Sequence, residues 1–327
     1  MRTYSIWADA RWAGRHGIGR YATEVLARLG DTVRSLPFSG KPADARDAFR
    51  ALGKYDDADL IYSPGYAGFI SRAPQLLTLH DLIHLEVGGP QGVKYVAYYN
   101  AIIRPIIRRS KAVLTVSETS AHAIREWLGD DTVDVINAGN ACSPAFKPPT
   151  ETTASREHIL YVGNMRAHKN PGVAMSILRE DEDLRLRMVL PARERSEAIL
   201  MADRMGVGSR VSVISGLEDQ ELAREYHSAI ATVMPSSLEG FGLPALESVC
   251  SGTPVVYWQG CAAIAEAAKG AGIPINELHD PAEWAKNIRA VRDNATPARP
   301  TERPSWDDVA KRVSTTVREV ASRGLRS

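Results

Sequence analysis

Two glutamates eight positions apart, Glu239 and Glu247, bracket the stretch of this chain best suited to chemistry, residues 235–252, PSSLEGFGLPALESVCSG. A strand is expected to end at Met234. A turn containing Gly240, Phe241 and Gly242 follows, and Pro244 stands where a helix should begin, a favoured first position. Glycines let backbone approach a ligand closely, and the unbonded N–H groups of a helix start form an anion site. Glu239 falls on the loop and Glu247 in the helix's first turn, so both carboxylates are expected to border one ligand, on either side of the amide donors. In the plainer alternative Glu247 only complements the helix dipole and Glu239 is solvated; the glycines, the proline and the strand–turn–helix setting weigh against it.

Three further segments carry candidate chemistry. Residues 161–170 read YVGNMRAHKN, and Arg166, His168 and Lys169 cluster where a strand opens into a loop. Such a cluster suits an anionic ligand, and the more so as negative charge develops on a leaving group; arginine can fork to two oxygens, whereas lysine acts as a point charge. A solvated basic turn is the alternative. In LLTLHDLIHLE an apolar strand runs to His80. His80 and His84, with Asp81 between them, echo the zinc motif H-E-x-x-H. That motif requires one helix carrying both imidazoles, and here a strand precedes His80 and Asp replaces Glu, so no metal is expected; a structural histidine stays open. Finally, residues 16–22, HGIGRYA, match G-x-G-x-x-A from Gly17 through Gly19. As a dinucleotide fingerprint the match is poor. Residues 9–16 separate it from the strand, and the next strand, 33–38, is followed by Ser39 and Gly40 rather than an acid. A simple helix-start turn also remains.

These segments must be positioned by alternating strands and helices. Apolar, β-branched runs at 4–7, 60–62, 76–79, 112–116 and 133–136 read as strands, with helices at 21–29, 95–109 and 120–128. Residues 142–156, CSPAFKPPTETTASR, read as an exposed linker. The alternation then restarts, with strands at 158–162, 186–190, 211–214, 231–234 and 254–258 and helices at 172–178, 196–205, 218–229 and 244–250. A helix at 307–321 closes the chain, either within the second unit or bracing the first. The expected fold class is α/β, two doubly wound units in tandem. Ligands of such sheets bind at the carboxyl ends of the strands, which makes a cleft between the two units the natural site.

Composition narrows the classes. The chain has 327 residues, 40 Lys plus Arg against 39 Asp plus Glu, 44% hydrophobic and 24% charged residues. That mixture excludes a disordered chain and gives no bulk positive charge for nucleic acid. No apolar run reaches the roughly 18 residues that span a bilayer, and the first residues lack the apolar core of a secretory signal. Three cysteines without a C-x-x-C pair, Cys142, Cys250 and Cys261, argue against a disulfide framework or structural zinc. A reduced, cytoplasmic protein is expected. The helix at 95–111 carries Arg104, Arg108, Arg109 and Lys111, with Lys94 just before it; contact with the inner face of a membrane and packing with a solvated basic edge are its two readings, and Pro105 should kink it.

The segment from Glu239 to Glu247 resembles the E-x7-E signature of the retaining GT-B glycosyltransferases of family 4, and the bacterial mannosyltransferases among them. The resemblance implies a GT-B fold: an acceptor-side domain at 1–147, a donor domain at 148–305, and a helix at 306–327 packing back on the first. It implies that Glu247 binds donor ribose, that Glu239 contacts the transferred sugar, and that Gly240, Phe241, Gly242 and Leu243 offer amides to sugar and diphosphate. Lys169 matches the family's basic loop; Asn164 stands where many members carry arginine, so the second cation falls to Arg166. His80, in a T-x-H-D pattern, is expected to hydrogen-bond the donor sugar, and the loop of Gly17 and Gly19 to approach the diphosphate. Smaller echoes lie at 115–120, 216–226 and 280–284.

The implied reaction is metal-independent, retaining transfer of a hexose from a sugar nucleotide to a hydroxyl acceptor, free or lipid-linked, without a resident cofactor. GDP-mannose is the first donor expected; UDP- and dTDP-sugars stay open. An epimerase or hydrolase of sugar nucleotides, a retaining glycosidase, and a non-catalytic nucleotide-sugar-binding protein are the competing readings.

Overall fold

The computed structural model describes residues 4–14, 17–42, 47–86, 89–149, 156–294 and 297–323. They divide into two compact units, 1–141 together with 304–327, and 142–303. The boundary falls before the predicted linker because Phe146 is fully buried in the second unit, edge-on against Tyr226 at 5.8 Å. The rest of that linker, 150–155, lies outside the described residues, as does His16 of the glycine loop.

In the first unit the strands are β1 (Ile6–Ala8), β2 (Arg34–Ser35), β3 (Leu60–Ser63), β4 (Gln75–Leu77), β5 (Ala112–Thr115) and β6 (Asp134–Asn137). They run parallel in the order β2-β1-β3-β4, with a parallel bridge from Thr78 to Leu114 leading to the β5–β6 pair. Its helices are α1 (Ile18–Leu29), α2 (Ile83–Glu86), α3 (Gly89–Tyr98), α4 (Arg104–Ser110) and α5 (Glu118–Leu128). Tyr21, Ala22, Val25 and Leu29 are the buried face of α1, at the 3–4 residue spacing of an amphipathic helix.

The predicted helix at 95–109 is a composite. Between α3 and α4, residues Tyr99–Ile103 form a π-helical turn, closed by the Arg104 amide bonding to the Tyr99 carbonyl. Pro105 has no N–H to offer an α-helical ladder, and the wider turn before it absorbs the mismatch. The basic residues of this helix are engaged inside the unit. Arg104 donates to the carbonyls of Trp127 and Leu128 at 2.8 and 2.7 Å, and Arg108 donates to Leu128 at 3.0 Å. Both complement the carboxyl end of α5. Arg109 bonds the Ser71 carbonyl and Lys111 the Thr132 hydroxyl.

The second unit has strands β7 (His158–Val162), β8 (Arg185–Val189), β9 (Val211–Ile214), β10 (Ala229–Met234), β11 (Val255–Trp258) and β12 (Gly272–Ile275), and helices α6 (Pro171–Ser176), α7 (Arg195–Arg204), α8 (Asp219–Ser228), α9 (Leu243–Cys250), α10 (Ala262–Ala267) and α11 (Pro281–Asn294). All six strands are parallel, in the order β12-β11-β10-β7-β8-β9. The chain winds outward from β7 to β9, then restarts at β10 on the other side of β7. Every residue of β10 is buried, as expected of a central parallel strand covered on both faces. Strand β12 and helices α10 and α11 are additions to the sequence reading. Pro274 masks β12, and a proline is tolerated there because the strand lies at the sheet's edge.

The closing helix, α12 (Trp306–Arg323), belongs to the first unit. Trp306 packs on Tyr21 of α1, Arg28 pairs with Asp307 at 2.6 Å, and Arg312 donates to the Ala138 carbonyl at 2.8 Å.

Candidate functional site

The strand order of the second unit reverses between β7 and β10. Loops leaving the carboxyl ends of two such strands run in opposite directions, and the crevice they leave is where doubly wound sheets bind ligands. The loop after β7 carries Arg166, His168 and Lys169; the loop after β10 carries residues 235–242. These are the two segments of this unit singled out in the sequence, and they are cross-linked. The Ser237 amide donates to the His168 carbonyl at 2.7 Å, and the Asn170 side chain donates to the Pro235 carbonyl at 2.9 Å. Asn170 is also left-handed, at φ 48°, a conformation asparagine tolerates better than most residues.

The Lys169 ammonium pairs with Glu239 at 2.5 Å, with both side chains largely buried. Tyr161, at the end of β7, donates its hydroxyl to the Asn164 carbonyl at 2.7 Å; burial, and then the charge of Glu239, raise its pKa. Arg166 is exposed; its amide is turned inward to Asn164 Oδ1. Asn164 therefore shapes the loop. Glu194 approaches from the next strand–helix connection and accepts from the Met165 amide at 2.8 Å. Lys169 and Glu239 thus largely neutralise one another, leaving Arg166 as the solvent-facing cation of the pair predicted here.

Gly242 caps α9 at φ 91°, a backbone angle that favours glycine. The helix starts at Leu243, one residue earlier than predicted, so Pro244 is its second residue. Phe241 is buried and anchors the turn. Among the described residues, the amides of Phe241, Gly242 and Leu243 donate to no other backbone or side-chain group. Consecutive open amides at a helix start can satisfy an anion.

Glu247 lies beyond the first turn of α9, contrary to expectation. Its side chain is 5% exposed, and the Tyr226 hydroxyl donates to Oε2 at 3.0 Å. Tyr226 appeared in the sequence only within the 216–226 echo; its bond to Glu247 joins α8 to α9, a pairing that local spacing does not reveal.

In the first unit, His80 follows β4 and is buried. Its Nε2 lies 3.0 Å from the Pro64 carbonyl. A carbonyl only accepts, so Nε2 carries the proton and Nδ1 keeps the lone pair of a neutral ring. Burial lowers its pKa, opposed by the Pro64 bond and by Asp81. Tyr21 packs edge-on at 4.9 Å, and the His80 carbonyl accepts from Ser120 at 2.8 Å. His84 lies on α2 and faces Asp81 at 3.8 Å, so the two histidines do not share a helix. No group of three potential ligands placed to hold a metal occurs among the described residues.

Gly17 caps α1 at φ 56°, with nothing within 4 Å of an added Cβ. Gly19 lies inside α1. A Cβ on it would sit 2.9 Å from the Cα of Gly14, whose amide donates to the Gly19 carbonyl. Close approach to Gly14 thus accounts for the glycine at 19.

Comparison with known proteins agrees with this architecture. Residues 144–303, nearly the whole second unit, match the family Glycosyl transferases group 1. The chain is 30% identical over 295 residues to a D-inositol 3-phosphate glycosyltransferase of Streptosporangium roseum, a match covering 80% of this chain and 65% of that relative. Among solved structures, a sucrose-phosphate synthase of Thermosynechococcus elongatus superimposes with a TM-score of 0.72 at 17% identity, covering 98% of this chain and 97% of the other. Anabaena HepE in complex with UDP-glucose gives 0.67 at 14% identity, covering 99% and 98%. The fold is GT-B. Among the described residues, no helix is long and apolar enough to cross a membrane.

Proposed function

We propose that this protein is a retaining, metal-independent glycosyltransferase that moves a hexose from a sugar nucleotide to a hydroxyl acceptor. The observation that carries the reading is the row of open amides at Phe241, Gly242 and Leu243 beside the Lys169–Glu239 pair, at the strand-order reversal of a group 1 domain. A diphosphate is the anion this row fits, and Arg166 adds a cation that the resting fold does not use.

In the reaction proposed, the acceptor oxygen attacks the anomeric carbon on the face from which the diphosphate leaves. The C–O bond to the acceptor forms as the C–O bond to diphosphate breaks. The departing phosphate oxygen takes the acceptor's proton, and configuration is retained. The amides, Arg166 and Lys169 stabilise the charge that develops on the leaving group. Lys169 meets that charge by loosening its hold on Glu239, which is then available to a sugar hydroxyl. Glu247, oriented by Tyr226, is assigned to the ribose. His80, neutral with its lone pair on Nδ1, is assigned to a donor-sugar hydroxyl, and Gly17 and Gly19 to the loop beside the diphosphate. Fixed positive groups make a metal or resident cofactor unnecessary.

GDP-mannose remains the first donor to test. UDP-glucose stands beside it, because a protein of the same fold binds it. Acceptors are a polyol phosphate, by likeness to the relative named for D-inositol 3-phosphate, or a lipid-linked glycan. The test is a thermal-shift panel of GDP, UDP, dTDP, ADP and their sugars, followed by NMR of the product's anomeric configuration. One nucleotide class should raise the melting temperature selectively, and the product should keep the donor's configuration. Stabilisation by none of them refutes the reading. Donor consumed without acceptor points to an epimerase or hydrolase, and binding without turnover to a nucleotide-sugar-binding protein.

A further inference from the structure

The segment joining β3 to β4 lies against the composite helix of the first unit and is stapled to it at two points. Near its start the Tyr98 hydroxyl accepts from the Gly68 amide at 3.0 Å and donates to the Tyr66 carbonyl at 3.2 Å. Farther along, Arg109 donates to the Ser71 carbonyl at 2.8 Å. Between the staples the two walls stay apart, around a cavity of about 200 Å³. The helix contributes Ala101 and Ile102 of the π-helical turn and Ile106 of α4, and the segment contributes Phe69 and Ile70. Ile70 stands at the lip, 38% exposed, with its amide fixed on the Ala48 carbonyl at 2.6 Å.

The polar groups of the floor are already used. Gln75 accepts from the Phe69 amide at 2.9 Å and donates back to the Phe69 carbonyl at 2.5 Å. Ser110 accepts from the Gln75 amide at 3.1 Å. An ordered water needs several polar partners, whereas an apolar cavity of about 150 Å³ can hold a benzene ring. This space therefore suits a short hydrocarbon group, and Arg109 is the one charge lining it. A guanidinium has five N–H donors; one is spent on Ser71, and Arg109 has no carboxylate partner among the described residues. Asp56, bonded to the same segment, is turned to the Ser71 hydroxyl and the Arg72 amide.

The cavity is remote from the chemistry described above. Gln75 is the first residue of β4 and Ser110 stands just before β5, so the space lies at the amino ends of these strands. His80 follows β4 at its carboxyl end. We propose that the cavity is a second ligand site, which takes the hydrocarbon end of a soluble medium-chain carboxylate while Arg109 pairs with the carboxylate. Arginine can grip that group with two parallel N–H···O bonds, and the apolar walls supply the remaining contact.

The test is calorimetric titration of the full chain with octanoate and with octanol, without nucleotide. Octanoate should bind saturably, at one site per chain. Ala101→Leu, at an exposed helical position where leucine is a good helix former, should fill the mouth and weaken octanoate by about tenfold or more. Arg109→Gln should weaken octanoate by about tenfold, the scale of one charge-assisted bond, and leave octanol unchanged; Arg109→Lys should recover most of the loss. Thermal stabilisation by nucleotides should be the same in Ala101→Leu as in the parent, so this site stands or falls apart from the glycosyl-transfer reading. No saturable octanoate binding, binding that Ala101→Leu leaves intact, or equal losses for octanoate and octanol in Arg109→Gln overturns the proposal. So does sedimentation with oleate-containing phosphatidylcholine vesicles that Ala101→Leu abolishes, which would assign the cavity to a membrane lipid instead.

Discussion

Lys169 and Glu239, seventy positions apart in the chain, meet at 2.5 Å where the strand order of the second unit reverses. Each was read from its own loop as a separate group, the lysine for phosphate and the glutamate for sugar. In the folded unit they form one ion pair, and any anion that draws on Lys169 must compete with Glu239. Such a pair sets where both side chains stand before a ligand arrives, and the ligand must loosen it to use either group.

Breaking that pair from either side should have different consequences. Lys169→Ala should lower kcat/KM for the active sugar nucleotide by about 10²–10³, the scale of one lost charge-stabilising donor, and leave a largely buried carboxylate uncompensated. Glu239→Gln should lower kcat with less change in nucleotide affinity. Steady-state kinetics with nucleotide titration separates the two. Equal losses of affinity in both variants would argue against distinct roles.

Tyr226→Phe isolates the support given to Glu247. The hydroxyl's loss should destabilise the chain by about 1 kcal/mol and weaken nucleotide binding only severalfold. Glu247→Ala should weaken it by well over tenfold, since a pair of hydroxyls would lose a charged partner. Calorimetric titration with the stabilising nucleotide checks the ranking, and a reversed ranking would remove Glu247 from the ribose assignment.

The two glycines of the first unit should part company. Gly19→Ala forces a Cβ against Gly14 and should destabilise by about 1–3 kcal/mol. Gly17→Ala has room but the wrong backbone sign and should cost about 1–2 kcal/mol. If Gly17 also approaches diphosphate, its substitution will raise the KM for donor beyond what urea unfolding explains.

Acid should destabilise the protein through buried histidines. His158 is held neutral by burial, with Arg187 contributing, and its pKa is lowered from 6.5 to about 4; His80 is lowered for the same leading reason. As pH falls from about 6.5 toward 4, the unfolded chain binds protons that the native chain refuses, so stability declines through that window and is fully present above it. Urea midpoints at pH 7 and pH 4.5 should differ accordingly. His158→Gln should reduce the slope, and an unchanged slope would remove His158 as a source.

Arg104→Met tests the basic helix of the first unit. If its cations serve the carboxyl end of α5, the variant should lose about 1–2 kcal/mol and bind anionic vesicles no differently from the parent. Vesicle sedimentation that falls with this substitution would instead favour a membrane role.

Much of the arrangement was legible in local pattern. The two strand–helix alternations, the strand at 158–162, and the glycine turn before α9 follow from short-range rules: apolar runs, caps, and the backbone freedom of glycine. These are properties of a few consecutive residues, and tertiary packing left them alone. The segments that escaped were those whose signal the surroundings supply. Pro274 lies in a strand only because that strand is at the sheet's edge, and Pro105 continues a helix only through a π-helical turn.

What only the tertiary structure decided is which distant groups meet. Long-range packing placed Lys169 against Glu239 and Tyr226 against Glu247, and gave Arg104 and Arg108 of α4 the carbonyls of α5 as partners. Residue type limits what a group can do, and sequence alone conveys that. The neighbour that uses it is set by long-range packing, to which the spacing of residues along a chain is blind.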